Sequence, residues 1–315
     1  MITHYAEEGI VAIDTHYLKP RLDASHLLIR DGQGMIIDCG TSFSVPYVLD
    51  GISACGLSPS DIKYLFITHV HLDHAGGAGK LMNALPNAKL LVHPRGARHL
   101  VDPTKLWAGA TEVYGPEAMK ELYGSMEPIQ AERVIETNEG DHFTVGGSTL
   151  EILHTPGHAK HHHALWEPAT RSIFTGDTFG LAYPSYHTHN GAFIFPTTTP
   201  VHFDPKAMHS SITRFMKLDP RAAFLTHYGR VRSVQKVGEI LLKRLEQHVA
   251  IAENARKLPA NQRKEAIKQE LTTELLKSLQ SHGVLEAPPL SLEWWETDLE
   301  LNAQGLTHWL SIVED

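Results

Sequence analysis

Three histidines and one aspartate lie within six residues, from His69 to His74, directly after a short apolar segment. That segment, Tyr64 to Ile67, contains aromatic and β-branched residues and is typical of a buried strand. Residues two positions apart in an extended chain point the same way, so His69 and His71 can face one ion. Imidazole nitrogens and carboxylate oxygens are ligands of zinc, iron and manganese. The sequence therefore predicts a metal site at the end of a strand.

Three more potential ligands follow later apolar segments. His158, Asp177 and His227 each come after a predicted strand and before a turn. Because chemistry in α/β folds gathers on loops at strand ends, we expect these residues to lie near the first cluster. Asp73 and His74, where the chain turns into a helix, can face a second ion. The seven side chains together suffice for two metals that share a carboxylate.

The composition is typical of a soluble globular protein. Of the 315 residues, 42% are hydrophobic and 20% are charged, which allows one large α/β domain and a helical appendix. We expect no membrane span and no signal peptide, and hence a cytoplasmic location. The cysteines Cys39 and Cys55 fit a reducing compartment. A formal charge of -8 argues against a nucleic-acid partner, so we expect a small-molecule substrate instead.

Short apolar runs between glycines, prolines and aspartates predict alternating strands and helices up to residue 227. The predicted strands are 9–14, 25–30, 35–38, 64–67, 89–92, 133–135, 142–145, 149–153, 164–166, 172–175 and 222–227. The predicted helices are 45–55, 75–85, 94–100 and 205–218. Residues 101–130 are expected to form a broken helix that serves as a lid or wall. The long, aromatic-rich loop 180–205 is expected to be functional.

After Ser233 the composition changes, and apolar residues recur at helical spacing. We therefore predict a catalytic domain at 1–232 and a helical region at 233–315, with Ser291 as the cap of a final helix. Trp294, Trp295 and Trp309 supply apolar surface in that region. This surface can pack against the catalytic domain or make a homodimer.

The chain resembles the metallo-β-lactamase superfamily over roughly residues 10 to 230. The matching motifs, in the order of the family, are His69-x-His71-x-Asp73-His74, Thr155-Pro156-Gly157-His158, Gly176-Asp177 and His227. The resemblance implies an α/β fold, the four-layer αββα sandwich, with a dinuclear site at one edge. By this resemblance, His69, His71 and His158 would hold the first metal, and Asp73, His74 and His227 would hold the second. Asp177 would bridge the two metals, and Asp38 would have a supporting role.

The resemblance implies two divalent metal ions, for which zinc is the first choice and iron and manganese are the alternatives. Such a pair of ions would generate a bridging hydroxide near neutral pH. Asp73 would pass the proton to the leaving group. The segment after Asp177 departs from the glutathione-binding pattern of glyoxalase II, and the β-lactamases do not carry an aspartate at the position of Asp73. A thioester or lactone is the expected substrate. A non-hydrolytic di-iron redox protein and a metal-containing sensor are the alternatives.

Several other side chains are candidates for contact with a substrate. The candidates on the long loop or beside the last ligand are Tyr183, Tyr186, His187, His189 and Tyr228. The run from His161 to His163 follows the ligand His158 directly. Its residues either orient a ligand or begin a strand, and the sequence leaves both interpretations open.

Overall fold

The computed structural model describes residues 1–284 and 292–314, so the predicted cap Ser291 lies outside the described residues. Contacts within the chain define two compact units. The first unit comprises residues 1–154, 161–176 and 220–230, and the second comprises 155–160, 177–219 and the described part of 231–315. These two units do not coincide with the predicted domains 1–232 and 233–315, and the domain boundary stays a prediction.

The first unit contains a seven-stranded sheet in which the strands follow their order in the chain. Its strands are β1 (Ile2–Tyr5), β2 (Ile10–Asp14), β3 (Ala24–Arg30), β4 (Gln33–Ile37), β5 (Ile62–Ile67), β6 (Lys89–Val92) and β7 (Val134–Glu136). Strands β1 to β4 pair antiparallel, and β3 and β4 form a hairpin. Strands β4 to β7 pair parallel. The parallel strand β5 delivers the first histidine cluster.

A second sheet of six strands has the order β13-β12-β11-β10-β9-β8. Its strands are β8 (His142–Val145), β9 (Ser148–His154), β10 (His163–Glu167), β11 (Ser172–Phe174), β12 (Ala222–Leu225) and β13 (Gly229–Val231). The inner faces of the two sheets share one apolar core, where Met35 and Phe66 of the first sheet belong to the same buried cluster as Leu165 and Phe224 of the second. The alternation of apolar residues along each strand produces this core.

Helices cover the other face of the first sheet. They are α1 (Val45–Ala54), α2 (Leu72–Ala75), α3 (Ala78–Ala84), α4 (Pro94–Val101), α5 (Thr104–Tyr114) and α6 (Pro116–Ala118). Val48, Leu81 and Ala97 of these helices belong to a core with β5 and β6. The segment 101–130 is a broken helix, as predicted, and its last turn at Met119–Tyr123 is π-helical.

The prediction of one helix at 75–85 was wrong. The segment forms two short helices, and the first begins at Leu72, so Asp73 and His74 lie in a helical turn. The break occurs because Gly77 N donates to Gly40 O at 2.9 Å, outside the helix. A Cβ atom at Gly77 would lie 2.5 Å from the Thr41 carbonyl oxygen, so this close approach requires glycine.

The second unit consists mainly of helices and of the long loop. Its helices are α7 (Pro205–Lys217), α8 (Val234–Ala255), α9 (Ala260–Ser281) and α10 (Glu296–Glu314). The C-terminal region is therefore helical over its described residues, as predicted. The buried Trp295 contacts the rings of Tyr183, Tyr186 and Phe195 from the loop. Within the part of the chain that the structure describes, no helix combines the length and apolarity needed to span a membrane.

Candidate metal centre

The end of β5 brings the first histidines of the motif together in the first unit. His69 Nε2 lies 2.9 Å from His71 Nδ1, and the His69 side chain is completely buried. His71 has extended backbone angles and precedes α2. The extended chain thus aims two ring nitrogens at one point, as the spacing in the sequence predicts.

A second cluster in the first unit contains Asp73, His74 and His227. The Asp73 Oδ2 atom lies 3.4 Å from His227 Nε2 and 3.7 Å from His74 Nε2. Tetrahedral ligands at zinc distances of about 2.1 Å are separated by roughly 3.4 Å. Two imidazoles and one carboxylate at this spacing are a donor set that fits a divalent metal ion.

The buried carboxylate of Asp38 supports this cluster. Its Oδ1 accepts from Thr68 N at 2.8 Å, and its Oδ2 accepts from Thr68 Oγ1 at 2.8 Å and from Thr226 Oγ1 at 2.7 Å. The same Oδ2 lies 2.8 Å from His74 Nδ1. Because Thr68 and Thr226 directly precede two of the candidate ligands, His69 and His227, one carboxylate aligns two strand ends and one imidazole.

The other ring nitrogens of the candidate ligands are held by hydrogen bonds. His227 Nδ1 donates to the Leu22 carbonyl at 3.2 Å, and His69 Nδ1 lies 3.1 Å from Thr68 Oγ1. When Nδ1 of an imidazole is held in this way, Nε2 is left to bind a metal. His69, His74 and His227 therefore have Nε2 available for a metal ion.

The second unit contains the remaining two candidate ligands. His158 Nε2 lies 3.4 Å from Asp177 Oδ2. Thr197 Oγ1 donates to the Asp177 carbonyl at 2.8 Å and lies 3.1 Å from His158 Nδ1, so it holds both residues. A Cβ atom at Gly157 would lie 2.3 Å from Met208 Cα, so only glycine allows this loop to approach α7.

The predicted substrate contacts on the long loop lie in the second unit. Tyr183 and Tyr186 are buried against Trp295, and Tyr183 Oη donates to Asp298 Oδ2 at 3.1 Å. His187 and His189 are exposed. The two tyrosines thus contribute to the packing of the helical region, and their contact with a substrate stays a prediction.

Tyr228 is also buried, and it packs with Ala12 and Ala24 in the first unit. Of the run of three histidines, His163 is the first residue of β10, and its Nε2 lies 2.6 Å from the Ile67 carbonyl oxygen. Burial lowers the pKa of His163 to about 3, so it is neutral. The ring of His162 lies 5.1 Å from that of His69, measured between ring centres.

Sequence reasoning missed one buried carboxylate near the candidate ligands, that of Asp23. Asp23 is buried and accepts from Thr15 Oγ1 at 3.1 Å. Burial raises the pKa of Asp23 to about 7, although the nearby His227 and His74 act in the opposite direction. The position of Asp23 just before β3 gives no pattern that would have identified it.

Asn302 of α10 holds the segment that contains Thr197. Its Oδ1 accepts from Thr198 N at 2.6 Å, and its Nδ2 donates to the Pro196 carbonyl at 2.9 Å. We expect Asn302→Ala to lower the free energy of unfolding by about 2–4 kcal/mol, because two buried backbone groups lose their partners. We also expect metal affinity to fall about 10-fold, since the support of His158 is lost. Urea unfolding and competition with a chelating dye measure the two effects.

The matched control is Gln304→Ala on the same helix, where the side chain Nε2 donates to Glu300 Oε1 at 2.9 Å. We expect this control to keep both stability and metal affinity. An Asn302→Ala variant that loses stability but binds metal as well as the control would contradict the proposed support of the ligand.

The family model of the metallo-beta-lactamase superfamily matches residues 20–227 of the chain. The metallo-beta-lactamase fold-containing protein ST1585 of Sulfurisphaera tokodaii is 30% identical over 217 residues, which are 67% of this chain and 75% of that protein. The N-acyl homoserine lactonase AttM of Rhizobium radiobacter is 30% identical over 37% of this chain and 40% of its own length. The acyl-coenzyme A thioesterase MBLAC2 of Gallus gallus is 27% identical over 54% of this chain and 62% of its own length.

Solved structures show the same fold over nearly the whole chain. The crystal structure of the archaeal protein ST1585 has a TM-score of 0.67 at 24% identity and covers 95% of this chain and 98% of its own. That of the metallo-beta-lactamase family protein TTHA1429 from Thermus thermophilus has a TM-score of 0.68 at 20% identity and covers 97% of this chain and 93% of its own. The predicted fold class is thereby confirmed. The matched motifs and the shared fold make this chain a member of the metallo-beta-lactamase superfamily.

Proposed function

We propose that this protein is a metal-dependent hydrolase with a dinuclear site and that its substrate is a small thioester or lactone. The observation that carries the proposal is the cluster of Asp73, His74 and His227, held by the buried carboxylate of Asp38. Relatives named as a lactonase and as a thioesterase support the choice of substrate. A small-molecule partner and a cytoplasmic location belong to the same proposal.

The ligand sets follow the superfamily motif. We propose that His69, His71 and His158 hold one ion, that Asp73, His74 and His227 hold the other, and that Asp177 is shared. Zinc is the first choice because its tetrahedral spacing matches the second cluster, and iron and manganese accept the same ligands. The distances within each unit support these sets.

Divalent ions in such a site lower the pKa of bound water and polarise the carbonyl group of the substrate. The chain supplies the rest of the chemistry. Asp73 accepts a proton from the attacking water and gives it to the leaving sulfur or oxygen, as a general acid and base. The carbon–sulfur or carbon–oxygen bond of the acyl group breaks as the new carbon–oxygen bond forms. Asp38 keeps the ring of His74 in its orientation during this step.

Removal of the metal tests the proposal. We expect protein purified without added metal to contain about two equivalents of zinc, iron or manganese by elemental analysis, as in two-metal hydrolases. It should hydrolyse N-acetylcysteamine thioesters or γ-lactones. Dialysis against a chelator should abolish the activity, and addition of the same metal should restore it. Thioester and lactone hydrolysis that persists in metal-free protein would refute the proposal.

The same preparation distinguishes the alternatives. An optical band of bound iron that responds to oxygen, together with an absence of hydrolysis, would indicate a redox protein. Tight binding of a metabolite without turnover would indicate a sensor. Either result would replace the hydrolase proposal.

A further inference from the structure

A cluster of apolar side chains lies directly beside the metal-binding motif in the first unit. Leu72, between two candidate ligands, is buried with Met119 and Tyr123. Six partly buried side chains complete the cluster: Tyr17, Leu106, Trp107, Ala110, Leu122 and Met126. Metal binding does not require these residues, and they continue the surface of the site with apolar and aromatic groups.

Two tyrosines within this cluster form a phenol pair. Tyr17 Oη donates to Tyr123 Oη at 2.8 Å, although the residues are 106 positions apart in the chain. The backbone on both sides of the pair is fixed. Ser42 Oγ donates to the Tyr123 carbonyl at 2.8 Å, and Tyr17 N donates to Thr15 Oγ1 at 3.3 Å. The position of the phenols is therefore set before any ligand binds.

Both phenols are close enough to Asp73 to respond to its charge. Burial raises the pKa of Tyr17 well above its usual value, and the Asp73 carboxylate raises it further. Burial and Asp73 raise the pKa of Tyr123 as well. The two hydroxyls therefore stay protonated at neutral pH. The hydrogen bond within the pair uses the hydroxyl hydrogen of Tyr17, which leaves that of Tyr123 to donate to a third group.

A hydrolase of acyl groups can use such a donor in addition to its metal ions. When water attacks the carbonyl carbon, negative charge develops on the carbonyl oxygen, and a fixed hydrogen-bond donor stabilises it in the transition state. The phenol keeps its proton throughout this step, so no further reactant is required. The apolar residues around the pair provide contact for a hydrocarbon chain but no partner for a charged or strongly polar group.

We propose that the Tyr17–Tyr123 pair and the surrounding apolar cluster form the acyl subsite of the enzyme. In this subsite, the phenol pair donates a hydrogen bond to the acyl oxygen, and the partly exposed Leu106 and Trp107 contact an apolar acyl chain. The preferred substrate is thus a thioester or lactone with a hydrocarbon acyl part rather than a charged one. The inference rests on the proposed hydrolase function and specifies its substrate class.

Conservative variants test the role of the phenols. We expect Tyr123→Phe, in metal-loaded protein, to lower kcat for octanoyl-N-acetylcysteamine by about 10- to 100-fold with less than a threefold change in KM, because the hydroxyl that donates to the transition state is lost. Tyr17→Phe removes the hydroxyl that bonds to Tyr123 Oη, so we expect it to lower kcat by a smaller factor. The matched control is Tyr64→Phe, a tyrosine of β5 that packs against Phe143. Equal kcat values in all three variants and in the parent protein would overturn the donor role.

Binding of a fatty acid tests the apolar part without relying on catalysis. Trp107 lies in the cluster, so we expect sodium octanoate to change its fluorescence in a saturable way and sodium acetate to have no effect. The Trp107→Phe variant should lack this change. Octanoate and acetate signals of equal size, or an octanoate signal that persists in Trp107→Phe, would overturn the acyl subsite.

The two experiments separate the failure of this inference from the failure of the proposed function. Hydrolysis that depends on metal but is insensitive to both tyrosine variants and to acyl length refutes the subsite and leaves the hydrolase intact. A saturable signal from octanoate in a protein that hydrolyses no thioester or lactone refutes the hydrolase. The same signal supports the apolar binding site.

Discussion

Replacement of Asp73 by asparagine is expected to abolish detectable hydrolysis. The carboxylate lies 3.4 Å from His227 Nε2 and 3.7 Å from His74 Nε2, where it can bind the metal and also accept a proton. Asparagine has the same shape but no charge and no proton-accepting oxygen of comparable basicity. Loss of proton transfer alone lowers rates by roughly 10²- to 10⁴-fold. Steady-state kinetics on thioesters and lactones, with metal content measured on the same samples, test this expectation.

A ligand variant and a surface control show whether the loss of hydrolysis comes from Asp73 itself. His71→Ala removes a ligand without touching the proton acceptor, so we expect both its metal content and its activity to fall. Asp50→Asn changes an exposed aspartate of α1 and should behave as the parent protein. Activity of Asp73→Asn within threefold of the Asp50→Asn control would contradict the role assigned to Asp73.

Much of the fold could be predicted from the sequence because its strands obey simple rules. In each strand of the inner core, apolar residues either alternate with polar ones or form an uninterrupted run. The turns between the strands contain glycine, proline or aspartate. Strand β6 occupies the predicted residues 89–92 without change. Strands β1 and β13 were missed because Thr3 and His4 interrupt the apolar residues of β1, and because Val231 is the one apolar side chain of β13. The break between α2 and α3 was missed because it depends on the contact of Gly77 with the loop at Thr41.

The candidate ligands could be predicted for a related reason. His69 and His227 follow apolar strands directly, so their position along the strand determines where they lie. Hydrogen-bond partners could not be predicted, because they come from distant parts of the chain. Thr226 donates to Asp38 across 188 residues, and Asn302 reaches Thr198 across 104 residues. Short-range patterns hold no information about such pairs.

Two pairs of tyrosines also show that sequence patterns do not predict contacts between distant parts of the chain. Tyr183 and Tyr186 were chosen from the sequence as substrate contacts because they lie on a long loop, yet they pack against Trp295. Tyr17 and Tyr123 had no such pattern, but their hydroxyls meet beside the metal-binding motif. A position on a long loop therefore does not predict exposure, since the helical region covers part of that loop, and contact of these two tyrosines with a substrate stays a prediction.

The second large effect is expected from Asp38→Asn. The buried carboxylate accepts hydrogen bonds from Thr68 and Thr226 and contacts His74 Nδ1 at 2.8 Å. Asparagine replaces one acceptor oxygen by an amino group, which cannot accept from these donors. Hydrogen bonds to a charged group contribute about 1.5–3 kcal/mol each, so we expect metal-free protein to lose about 3 kcal/mol or more of unfolding free energy. Urea unfolding measures this loss.

Metal affinity tests whether Asp38 orients the candidate ligand His74. Because Asp38 orients the ring of His74, we expect the Asp38→Asn variant to bind metal about 10- to 100-fold more weakly, by competition with a chelating dye. The matched control is Asp141→Asn, which removes the charge of a carboxylate that accepts from Asn138 N at 2.7 Å in an exposed turn. The control should lose some stability but keep its metal affinity. If Asp38→Asn behaved in the same way, Asp38 would stabilise the fold without orienting His74, and the tautomer of this imidazole would have to be set by another group.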